Sequence, residues 1–122
     1  MPNLQNSVGR AWARLKKSNG IDCTINGPEP RYQNSTIVLA RADSESIATR
    51  EVIYLADRQD VLVEVGDYFS RDPREGDTFV FDQNGQTVTA EVRPLSNSET
   101  CFYRWYGGAV FRVHCKIISR GA

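Results

Sequence analysis

TFVFDQNGQTVTAEVR, residues 78–93, places two β-rich runs, Thr78 to Asp82 and Thr87 to Arg93, on either side of Gln83-Asn84-Gly85-Gln86. Asn and Gly both accept positive φ, so Asn-Gly between two such runs is the strongest local signature of a β-hairpin. Working outward, Val61, Val63 and Val65 alternate with Leu62 and Glu64, the period of a strand with one buried face. Gly66-Asp67 opens a break that runs through Arg71-Asp72-Pro73-Arg74-Glu75-Gly76-Asp77. Beyond the hairpin, Pro94 to Thr100 is a polar loop. Cys101 to Tyr106, Gly107-Gly108 and Ala109 to Ser119 then read as a second hairpin. In its last strand Phe111, Val113, Cys115 and Ile117 share one face, with Arg112, His114 and Lys116 on the other.

Toward the N-terminus the alternation continues. Ile21, Cys23 and Ile25 interleave with Asp22, Thr24 and Asn26, which predicts a strand, and Gly27-Pro28-Glu29-Pro30 is a turn. The proline-bearing stretch from Pro28 to Ser35 reads as a surface loop, and Thr36 to Ala40 as a short strand. Residues 41–60 mix helix formers with β-branched residues, and a strand at 50–55 is the reading favoured there over a short capped helix. The first residues differ in period: Leu4, Val8, Trp12 and Leu15 fall on one stripe of a helix over residues 3–18, with Arg10, Arg14, Lys16 and Lys17 directed elsewhere. Lys16 and Lys17 suit the negative end of its dipole, and Asn19-Gly20 suits a left-handed terminus. The fold predicted is mainly β: a small antiparallel barrel or sandwich of five to seven strands over 20–119, with one N-terminal helix, in a single domain spanning 1–122.

Composition sets limits on function. Fifteen Lys and Arg balance fifteen Asp and Glu, so the long-range field that drives non-specific phosphate binding is lacking. No apolar run approaches the roughly 18 residues of a membrane span, and MPNLQNSVGRAWARLKK has no central apolar block of the secretory kind. The chain is therefore expected to stay inside the cell that makes it, without a membrane partner. Cys23, Cys101 and Cys115 are odd in number and widely spaced, as expected of reduced packing residues.

The chemistry-bearing groups are sparse. His114 is the only histidine, no GxSxG-like elbow accompanies it, and its neighbour Cys115 points to the opposite strand face. Cys23, Cys101, His114 and Cys115 would ligate a metal only if distant strands converged, and phosphate-gripping glycine loops are missing. The acids of RDPREGD alternate with Arg71 and Arg74, as in a solvated, self-neutralising turn. No catalytic, cofactor-binding or metal-ligating residue is expected. Binding is the alternative to catalysis, and its candidates are Trp12 and Arg14 on the helix, Arg74 in the loop, and Arg104, Tyr106 and Arg112 in the aromatic and basic cluster near the C-terminus. Aromatics beside Arg are also how small barrels hold single-stranded nucleic acid, which is the second reading of that cluster.

From Val61 to the end, about half the chain, the sequence resembles the small head-tail joining and head-completion proteins of tailed bacteriophages, including the lambda-type head-tail attachment family. The resemblance is carried by VLVEV at 61–65, DPREGDTFVF at 72–81, Asn84-Gly85, Arg93-Pro94 and FYRWY at 102–106. The basic-faced N-terminal helix is similar to the flexible arm such proteins carry, whereas the long strand from Val110 to Ser119 departs from the lambda-type pattern. The resemblance implies a non-enzymatic virion component, made in the host cytoplasm. It implies a ring of small barrels between the portal side of the head and the tail, with nucleic acid met only as it passes through. Loops 28–35, 66–77 and 94–100 would meet neighbouring subunits, and the helix would dock on a partner.

Overall fold

The computed structural model describes residues 4–28, 33–40, 58–94 and 100–121, and the expected strand at 50–55 lies outside them. One helix, α1 (Leu4–Asn19), precedes β1 (Ile21–Asn26), β2 (Gln33–Ala40), β3 (Arg58–Glu64), β4 (Thr78–Gln83), β5 (Gln86–Val92), β6 (Phe102–Trp105) and β7 (Val110–Gly121). The sheet runs β3-β2-β1-β4-β5-β7-β6, and a further ladder between β3 and β7 closes six strands into an antiparallel barrel with β6 as an extra strand. Closure depends on β7: one edge pairs with β3, while the other pairs first with β6 and then with β5. Between Thr89 and Ala90 the register shifts by one, so Ile118 bulges outward and is exposed. Such a bulge sharpens the local bend and twist.

The alternation read from the sequence fills this barrel. Ile25, Ile37, Val61, Val63, Phe79, Val88, Val92 and Val113 are completely buried, joined by Cys23, Phe81, Phe111 and Cys115. Burial of each such side chain contributes roughly 1.5–3 kcal/mol before the ordering cost is set against it. The Asn84-Gly85 turn has φ of 53° and 80°, the positive pair that a two-residue hairpin requires.

Several boundaries differ from the sequence reading. β2 begins at Gln33 because its ladder with β1 extends to the Ile25–Gln33 pair, so residues 33–35 belong to a strand. β3 stops at Glu64, and Val65–Asp67 forms a 3-10 turn whose Val65 N–H donates to the Ala109 carbonyl at 3.0 Å. At the end of α1 neither Asn19 nor Gly20 takes a positive φ. Gly20 is required for proximity instead: a Cβ there would lie 2.3 Å from the Lys16 carbonyl oxygen and 2.7 Å from the Thr36 methyl.

The acidic loop is also corrected. Tyr68 and Phe69 enter the barrel core, and Asp77 is buried, held by Arg71 through two 2.8 Å bonds and by the Tyr68 hydroxyl at 2.5 Å. Desolvation, followed by the bond to Asp77, pushes the Tyr68 phenol far above its ordinary range. The segment is thus anchored by Tyr68, Phe69 and Asp77, and only part of RDPREGD is solvated.

Candidate functional site

A second apolar layer lies outside the barrel. Trp12 from α1 packs on Val38, Leu62 and Val110 of the wall, with Leu15, Ala40 and Trp105 at its margins. This is why Asp60, Val61, Leu62 and Val63 are buried in succession: β3 is covered on both faces. Trp12 is only 5% exposed, and its indole N–H donates to Glu64 Oε1 at 2.8 Å, beside Lys16 Nζ at 2.9 Å. These two bonds, Lys16 first and Trp12 second, hold the Glu64 carboxyl below its ordinary pKa. The expectation that Trp12 faces a partner is corrected accordingly; α1 is clamped to the wall by an apolar contact with a charged rim.

Next to this layer is a closed charge centre. The β3–β7 register sets Asp60 opposite His114 and Leu62 opposite Arg112, and the β6–β7 register brings Tyr103 alongside Arg112. Arg112 Nε donates to Asp60 Oδ2 at 2.6 Å, and His114 Nδ1 lies 2.9 Å from Oδ1. The Arg112 guanidinium is 4.4 Å from the Trp105 ring centroid, and the Tyr103 ring lies 5.6 Å from that of His114. An Asp–His pair can orient a general base, but His114 is 5% exposed, and the neighbouring Cys115 faces the barrel core with its thiol pushed well above its ordinary pKa by burial. The arrangement neutralises a buried carboxylate and ties β3 to β7.

The remaining candidates are spread over α1, the loop before β4, β6, the turn after it and β7. Arg14 is exposed on α1, and Arg74 is exposed in the loop, where its backbone N–H donates to Asp77. Arg104 is half-exposed, 3.5 Å from Asp72 and 5.3 Å above the Phe111 ring. Tyr106 is in the 3-10 turn at Tyr106–Gly108. Arg112, expected among exposed aromatics, is enclosed instead, because β6 runs beside it and the Trp105 ring and Asp60 cover its guanidinium.

The adjoining wall, which shares β2 with the helix-covered one, is open and polar. Between β1, β2 and β4 runs a groove of about 630 Å³, lined by Asp22, Thr24, Asn34, Thr36, Val80 and Asp82, with Asp67 at its margin. No single residue in this list announced the groove, since it exists only once the three strands pair. Among the described residues no group of three or more His, Cys, Asp or Glu is placed to hold a metal ion. The class defined by these features is a small, filled, six-stranded antiparallel barrel with one wall sealed by a helix and another left open. No protein-family model, curated protein or solved structure matches the chain.

Proposed function

We propose that the chain is a structural component of a phage or prophage virion, one subunit of a ring of small barrels that joins the portal side of the head to the tail. The observation that carries this reading is the filled interior: with Phe79, Phe81, Phe111 and the aliphatic core packed inside, the outer walls and loops are left to do the work. The chain would be made in the host cytoplasm and end in the virion, touching portal or connector and tail proteins. DNA would be met only inside the ring, and no membrane, cofactor, metal or turnover would be involved. The described helix is also too short and polar to cross a membrane.

The alternative, a barrel that grips single-stranded nucleic acid, needs Arg104, Tyr106 and Arg112 on one accessible surface. Enclosure of Arg112 with Asp60, and the position of Arg104 beside Asp72, favour the connector. The test is genetic and microscopic. If the gene lies between capsid and tail genes, particles made without it should be filled heads and separate tails under the electron microscope. Intact virions formed in its absence would overturn the proposal, as would short-strand binding that is tight and falls steeply with salt.

A further inference from the structure

We infer that the outward stripe of α1 on one copy docks into the groove between β1, β2 and β4 on the next copy. This specifies the subunit contact of the ring proposed above, and it rests on that reading for its biological setting.

The donor surface follows from helix geometry. Arg10, Arg14 and Lys17 recur at steps of four and three and are exposed, while Trp12 and Leu15 on the other side hold the helix against the barrel. The stripe is therefore presented by a helix anchored on its opposite face. The receiving surface has the complementary charge. The β1–β4 ladder ends at the Cys23–Phe81 pair, and the next residue of each strand beyond it, Asp22 and Asp82, lines the groove. Two carboxylates on neighbouring strands repel, and among the described residues neither has an ion pair. Thr87 donates to Asp82 at 3.2 Å, which leaves the charge in place.

The groove also has a cation of this chain at its margin, since Lys16 Nζ lies 3.9 Å from Asp67. Arg14 and Lys17 of a second copy would extend that pairing inward to Asp22 and Asp82, where Thr24, Asn34 and Thr36 supply further acceptors. Guanidinium and carboxylate groups match in charge and hydrogen-bond geometry. Because stripe and groove are different patches of one molecule, the contact is heterologous, and such contacts propagate head to tail into rings or filaments. A formal net charge of zero conceals this separation of charge between two walls.

The experiment follows the self-association of the purified full chain by sedimentation velocity over a concentration and salt series. Wild type should associate, and less so as salt rises. Asp22→Lys with Asp82→Lys, or Arg14→Glu with Lys17→Glu, should each weaken association by about tenfold or more. An equimolar mixture of the two double variants should recover it, because each then offers the charge the other needs. If the lysine pair fails to fold, Asp22→Asn with Asp82→Asn replaces it and should weaken association in the same direction. Association unchanged by either charge reversal, no recovery on mixing, or a wild type that stays monomeric to its solubility limit would overturn the inference. Virions that need the protein but tolerate both reversals would remove this contact and leave the connector reading. Charge-dependent association without any virion defect would do the opposite.

Discussion

The barrel interior and the layer beneath α1 are both apolar, yet they are held together differently. Inside the barrel, Ile25, Val63, Phe79 and Phe111 meet side chains of their own kind, and the buried Asp77, bonded to Tyr68 of this core, is locked to Arg71. Beneath α1 the apolar patch is small, four buried side chains, and it is flanked by two ionic arrangements, Glu64 with Lys16 and Trp12, and Asp60 with Arg112 and His114. The interior depends on volume, whereas the outer layer depends on charges that keep their partners. Perturbations of packing and of ionisation should therefore separate the two.

The largest effect is expected inside. Phe111→Ala removes a ring in contact with Tyr68, Phe102 and Arg104 and should lower unfolding stability by about 4–5 kcal/mol in a denaturant titration. A loss below about 1 kcal/mol would mean that the interior is not packed around it. In the outer layer, Arg112→Met strands Asp60 with His114 alone and should cost about 3–4 kcal/mol, while adding Asp60→Leu should recover most of that loss. Equal destabilisation in the single and double variants would show that the ionic pairing is not what holds the seam.

The smallest effect is one of pH. Glu64 has a lower pKa when folded than its ordinary 4.5, so the stability it contributes is complete above that value and is lost as pH falls through the folded pKa. Thermal melts from pH 6 to pH 3 should show wild type falling toward Glu64→Gln below about pH 4.5, the carboxyl's ordinary value. Parallel curves would exclude Glu64 as an anchor of α1. The magnitude is modest because the side chain is about one-third exposed.

How much of this was legible depends on sequence distance. The β4–β5 hairpin was readable because Asn84-Gly85 determines it locally, and the barrel interior because period two survives wherever one face is buried. The buried position of Trp12 was hidden because its partner Glu64 is 52 residues away, and the Asp60–His114 contact spans 54. One signal was present: Val61, Leu62 and Val63 in succession mean a strand covered on both faces, so the adjacent Asp60 needed a partner. Tyr68 and Phe69 similarly marked the loop before Asp77 as anchored, although the charges of RDPREGD suggested solvent. The groove had no local signature, since Asp22 and Asp82 come to line one groove only once β1, β2 and β4 pair.

The shared use of β7 has a consequence for how the molecule comes into being. Synthesis proceeds from the N-terminus, so the strand that seals the cylinder, bonded to β3, β5 and β6 alike, is the last of the seven to leave the ribosome. Without that strand the sheet cannot close, and an unclosed sheet has bare edges and an uncovered apolar face, the condition in which strands pair with the wrong neighbour. Closure of the native cylinder therefore waits for β7, and chaperone demand should be highest before that strand emerges.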